Sequence, residues 1–94
     1  MDDKEIIKLI AKYRDLSKKA LELAKNAEKA FGMENWAEEV IEMAEAYIND
    51  SDYFEKKKDL LRALASLAYA HGWLDAGARL GLYKVKNPRL FTVD

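Results

Sequence analysis

Cysteine is absent from the 94 residues, which excludes disulfides and thiolate metal sites and leaves stability to packing alone. A single histidine, His71, supplies no imidazole pair for a metal and little material for nucleophilic catalysis. The glycines, at 32, 72, 77 and 81, are scattered where a phosphate-cradling loop would cluster them, and no nucleophile elbow is present. The one proline follows Asn87 and marks a turn near the C-terminus. No apolar run approaches the roughly 20 residues that cross a bilayer, and no apolar segment follows Met1-Asp2-Asp3-Lys4-Glu5 as in a signal peptide, so a soluble, cytoplasmic protein is expected. A net charge of −1 offers no global attraction for nucleic acid or an anionic membrane.

What remains is the material of one packed domain, with half the residues hydrophobic and 35 % charged. From Ile6 the apolar positions Leu9, Tyr13, Leu16, Ala20, Leu23, Ala27 and Ala30 follow in alternating steps of three and four, predicting a helix over about 3–31. Lys25 and Lys29 suit its negative end, and Gly32 can take the left-handed conformation beyond it. Asn35 with Glu38 resembles a capping box for a second helix over about 35–57, striped by Ala37, Val40, Ala44, Tyr47, Ser51 and Phe54. Asn49-Asp50-Ser51-Asp52 is poor in helix formers and predicts a kink or early end there. Asp59 is the expected N-cap of a third helix over about 60–80, ended by Gly81. The fold class is therefore all-α: an up-down-up three-helix bundle over 1–82 with an irregular C-terminal tail over 83–94. That tail carries Leu82, Tyr83, Val85, Leu90, Phe91 and Val93, more apolar area than a free tail displays, so something should cover it.

The third helix is too apolar for one buried face. Its expected core stripe is Leu60, Leu64, Leu67, Ala68, Leu74 and Ala78. Opposite fall Arg62, Ser66, Tyr69, Trp73, Gly77 and Leu80, where lysines and glutamates would ordinarily meet water. Tyr69, Trp73 and Leu80 are thus a candidate interaction surface, to be covered by the tail or by another chain. Gly72 and Gly77, costly inside a helix, suggest close approach of a neighbour. His71, Asp75 and Arg79 form one line at spacing i, i+4, i+8, directed toward the apolar side. They are a candidate polar cluster, either an intrahelical ladder or a site for a small anion.

Charge is split between the first two helices, the first rich in lysine and the second in glutamate before its first lysine at Lys56. This pattern helps antiparallel neighbours choose their pairing. The lysines lack interleaved surface aromatics and lie beside an acidic helix, which disfavours nucleic acid. Glu38, Glu42 and Glu45 lack the converging carbonyls and second-helix carboxylates of a cation cage, so no metal or cofactor is expected.

The stretch Tyr53-Phe54-Glu55-Lys56-Lys57-Lys58-Asp59, with Arg62-Ala63-Leu64-Ala65, Ala68-Tyr69-Ala70-His71-Gly72-Trp73-Leu74-Asp75-Ala76 and Arg79-Leu80-Gly81-Leu82, resembles an archaeal family, domain of unknown function family 357. The resemblance implies a cytoplasmic archaeal three-helix bundle and brings no activity, cofactor or catalytic residue. Glycine commonly stands in that family where Lys58 stands here, which implies a differently shaped turn before the third helix. The expected function is a non-enzymatic helical interaction or self-association module, acting as a homo-oligomer or on another protein. The alternative is an accessory protein binding nucleic acid or a small anion at His71, Asp75 and Arg79.

Overall fold

In this computed structural model, which describes residues 1–92, three helices follow in order: α1 (Asp3–Asn26), α2 (Glu34–Lys56) and α3 (Leu60–Arg79). Asp2 caps α1, its carboxylate accepting from the Glu5 N–H at 2.9 Å. The helix stops at Asn26, short of the expected end near residue 31. The reason lies in the tail: Ala30 N–H donates to Leu82 O and Lys84 N–H to Glu28 O, both at 2.9 Å, pairing Lys29 with Tyr83 in an antiparallel bridge. Backbone groups spent on that bridge cannot continue a helix. Lys29 instead folds its ammonium back onto the Lys25 and Ala27 carbonyls at 2.9 and 2.6 Å, closing α1. Phe31, expected to finish the stripe, is fully exposed.

The Asn35–Glu38 capping box does not form. α2 starts one residue earlier, with Met33 at the N-cap and no side-chain cap. The Glu34 carboxylate accepts from the N–H of Gly32, whose φ of +78° makes the turn. Nor does α2 kink at Asn49–Asp52: Ser51 is buried and donates back to Ile48 O at 2.6 Å, and Asp52 faces Arg14 of α1. The Ser51 hydroxyl bonds back to the preceding helical turn without breaking it, and the Asp52 carboxylate is held by Arg14.

Both remaining helix ends close by the same pair of hydrogen bonds. At α2, Asp59 N–H reaches Phe54 O and Lys58 N–H reaches Glu55 O, each at 2.9 Å. At α3, Leu82 N–H reaches Gly77 O at 2.9 Å and Gly81 N–H reaches Ala78 O at 3.1 Å. The residue after each C-cap must be left-handed, and Gly81 (φ +75°) and Lys58 (φ +60°) both comply. Lys58 therefore makes the turn a glycine would make, at a steric cost, and the expectation of a differently shaped turn is corrected. Asp59 caps α3 through the Arg62 N–H at 3.2 Å.

α3 is the central element: α1 and α2 both pack along it and meet each other far less. The bundle is accordingly flattened, 45 × 23 × 16 Å in extent. One series of buried positions recurs every seven residues and is mostly small: Ile10, Ser17 and Ala24 in α1, Ala37, Ala44 and Ser51 in α2, Ala63, Ala70 and Gly77 in α3, with Leu67 and Leu74 equally buried between the last three. Small residues at a seam allow helices to approach closely. The core of α3 is centred on Ala63, Leu67, Ala70 and Leu74, so that Leu67, Leu74 and Ala78 are buried as expected while the buried face as a whole is turned by roughly 70° from the expected stripe. Ala68, expected inside, is exposed, while Ser66 and Gly77, expected outside, are buried.

The tail folds back onto α1 and α3. Leu82, Tyr83, Leu90 and Phe91 join the same core, and Tyr83, 1 % exposed, donates its hydroxyl proton to Leu74 O. Asn87 organises the turn at Pro88: its side chain accepts from Arg89 N–H at 3.0 Å, and its carbonyl from Leu90 and Phe91 N–H at 3.1 and 2.9 Å. Val93, expected among the covering residues, lies outside the described residues.

Candidate functional site

The three residues of the candidate interaction surface lie along the α2 edge of α3. Tyr69, 53 % exposed, sets its ring edge-on against Tyr47 of α2 at 4.6 Å and against Trp73 at 6.1 Å. Trp73 is half-buried beside them, and its indole N–H is shielded without an acceptor among the described residues. Leu80 is 73 % exposed. Nearer the N-terminus of α3, Arg62 lies over the Phe54 ring at 6.0 Å. These contacts set an antiparallel register between α2 and α3 that places the exposed Trp36 and Leu80 at the same end of the molecule.

Between this edge and the side of α3 that meets α1 runs a strip the sequence projection did not assign to the surface: Leu61, Ala65, Ala68, Gly72 and Ala76. All are exposed, Leu61 by 73 %. Shallow clefts border it, one of about 290 Å³ along Ala68, Tyr69, Gly72, Trp73 and Ala76. A deeper, mostly apolar one of about 420 Å³ separates it from Tyr13 and Leu16 of α1. A Cβ added at Gly72 would meet nothing within 4 Å, so this glycine, unlike Gly77, is not required by any neighbour in the described chain.

Of the polar line His71, Asp75 and Arg79, the first two are joined to α1 and to the tail. Ser17 of α1, buried to 1 % exposure, stands 3.3 Å from His71 Nδ1. His71 Nε2 lies 3.8 Å from Asp75 Oδ1, an ion-pair distance open only to the protonated ring and too long for a hydrogen bond. Asp75 in turn accepts from the Thr92 N–H at 2.9 Å and the Thr92 hydroxyl at 3.2 Å. Ser17, His71, Asp75 and Thr92 thus stitch α1, α3 and the tail. The order of residue types is that of a nucleophile relay, but the geometry is not, because the serine is inaccessible and the His–Asp contact is loose. A polar cleft of about 390 Å³ beside His71 and Asp75 is closed on its far side by Pro88 to Thr92. Arg79 sits exposed one turn beyond Asp75. Among the described residues there is no group of three or more potential metal ligands, and no helix is long and apolar enough to cross a membrane.

Sequence reasoning missed two features. Arg14 spans from α1 to α2, with Nε 2.8 Å from Asp52, Nη1 2.5 Å from Glu55 and Nη2 3.2 Å from the Ser51 hydroxyl. Only the split of charge between the helices hinted at it. The second is Tyr83, whose ring fills the space above Gly77. Its burial, and next the negative charge of Asp75, push the phenol well above the ordinary tyrosine value.

Comparison with curated proteins and with solved structures returns no match. Among family models, one described as protein of unknown function (DUF357) matches residues 12–83, from the middle of α1 through α3 to the bridge residue Tyr83. The matched segment takes in most of α1, all of α2 and α3, and the glycine on which Tyr83 packs, and the chain belongs to the DUF357 family.

Proposed function

We propose that the chain is a non-enzymatic helical interaction module that docks through the free side of α3, bounded by Tyr69, Trp73 and Leu80. The observation that carries this reading is the composition of that side. Leu61, Ala65, Ala68, Gly72, Ala76 and Leu80 are exposed along the whole helix, the exposed charges of α3 are only Arg62 and Arg79, and no acidic residue lies there. A solvated helix face would be dominated by charge, and the chain has charge in abundance on α1 and α2. The tail, the internal candidate for covering it, packs instead over His71 and Asp75. The absence of cysteine and the family resemblance support placing this module in the cytoplasm of an archaeal cell.

The test is a photoreactive benzophenone side chain placed at Leu61 or Leu80 in the cells of origin, with Glu22 on α1 as control. A discrete protein adduct is expected from the two α3 positions and not from Glu22. Equal, diffuse labelling at all three would overturn the reading.

A further inference from the structure

We infer that the occupant of this face is a second copy of the chain, docked with the two α3 helices parallel and the twofold axis running along them. The inference rests on the interaction reading above and adds the partner and its orientation. The free strip of α3 has two different flanks. On one side stand α1 and the tail, fixed by Ser17 at His71, by Thr92 at Asp75, and by Tyr13 and Leu16 beside Ala68. On the other stands α2, fixed by Tyr47 at Tyr69 and by Phe54 at Arg62. The flanks carry opposite net charge, part of it already paired within the chain where Arg14 meets Asp52 and Glu55 and Lys25 meets Glu45. α1 has seven Lys or Arg against four Asp or Glu, and the tail adds Lys84, Lys86 and Arg89 with no acid among its described residues. α2 has eight acids against one lysine.

When two copies meet face to face, the twofold axis lies in the plane between them, and only two orientations keep the α3 helices aligned. An axis perpendicular to α3 makes the helices antiparallel and lays α1 on α1 and α2 on α2, like charge against like over their full length. An axis along α3 makes them parallel and lays the basic α1 and tail of each copy against the acidic α2 of the other. The parallel arrangement also preserves level. Because α2 runs antiparallel to α3, its glutamate-rich first half stands at the level of the C-terminal half of α3, where the tail with Arg89 also lies. An unrelated partner would have to match both the apolar strip and this left-right charge division. A second copy supplies both by symmetry.

The area is sufficient. A helix of 20 residues is about 30 Å long, and a strip about 20 Å wide that includes its flanks buries roughly 600 Å² per copy, about 1,200 Å² in all, the lower bound of specific interfaces.

The absence of native cysteine permits a clean test. The mass of the wild-type chain in solution is measured at about 100 μM, and Ala65→Cys and Ala76→Cys are each oxidised separately. Both positions are exposed, so the substitutions leave the core untouched. The expected results are twice the 10.8 kDa chain mass and a disulfide-linked dimer from each variant alone, because every seam residue then faces its own counterpart. In an antiparallel dimer crossing at Gly72, the thiol introduced at Ala65 or at Ala76 would lie more than about 10 Å from its counterpart in the other copy, beyond disulfide reach. A dimer in which neither variant cross-links overturns the orientation. A monomeric wild type overturns the second copy as occupant, and the interaction reading survives it if the benzophenone at Leu61 captures a different protein.

Discussion

Replacing glycine by alanine at two sites five residues apart on α3 should change stability in opposite directions. Inside a helix the exchange is intrinsically favourable by about 1 kcal/mol. At Gly72 a new Cβ meets nothing within 4 Å, so Gly72→Ala should return most of that gain and raise the melting temperature by several degrees. At Gly77 the new Cβ would lie 2.7 Å from Cε1 and Cζ of Tyr83, nearly 1 Å inside ordinary contact, and something must move. The ring has little freedom: Tyr83 is almost wholly buried, hydrogen-bonded to Leu74 O, packed 6.3 Å from Phe91 and bridged to Lys29. Expelling it would forfeit roughly 200 Å² of burial, about 5 kcal/mol, so the structure should shift instead, at the 1–3 kcal/mol typical of overpacking. Net of the helical gain, Gly77→Ala should destabilise by about 1–2 kcal/mol and lower the melting temperature by about 10 °C, measured by circular dichroism on heating. In a Tyr83→Ala background the same substitution should become stabilising, a coupling of about 2–3 kcal/mol in a double-mutant cycle. If Gly77→Ala stabilises the wild type as much as Gly72→Ala does, the packing of Tyr83 on α3 is wrong.

Other consequences can be measured in the same way. Lys58→Gly should stabilise by about 0.5–1 kcal/mol in urea denaturation, since it relieves a left-handed lysine at the cost of a more flexible unfolded chain, whereas Gly81→Ala should destabilise by a similar amount. Arg14→Ala should cost about 2 kcal/mol or more, because it leaves Asp52, Glu55 and the buried Ser51 hydroxyl without their shared cation, and Glu55→Gln should cost less. Tyr83 makes the fold sensitive to alkali. Its folded pKa lies above the unfolded value near 10, so its stabilisation is complete below about pH 10 and falls by about 1.4 kcal/mol per pH unit above it, until the folded phenol itself ionises. Tyr83→Phe should remove that slope and delete the late component of the phenolate absorbance titration. Asp75→Ala should free the end of the tail from its two Thr92 hydrogen bonds and speed proteolysis after Arg89 with little change in helix content.

Several features were legible because they depend on neighbours in sequence. The three helices, the caps at Asp59 and Gly81, and the turn at Asn87-Pro88 are local events, set by side chains within a few residues. The end of α1 was not, because nothing in 27–31 announces that Glu28 and Ala30 will pair with Lys84 and Leu82, far away in the chain. The excess of apolar surface on α3 was legible as an amount and misplaced as a direction. A projection weighted by leucine places Leu67, Leu74 and Ala78 correctly in the core but extends the stripe to the exposed Ala68, and it misses Ala63, Ala70 and Gly77, where small size selects the residue at the seam.

The candidate residues divide along the same line. His71 and Asp75 share a helix face by spacing alone, but their partners Ser17 and Thr92 come from α1 and the tail and were decided by packing. Sequence by itself determined that this chain forms three amphipathic helices, that α1 and α2 carry opposite charge and that α3 has more apolar surface than one face can bury, since periodicity and composition are properties of the chain. Only the tertiary structure decided which side of α3 stays free, because that depends on where α2 packs and on Tyr83 drawing the tail over His71 and Asp75, and so away from Leu61, Gly72 and Ala76.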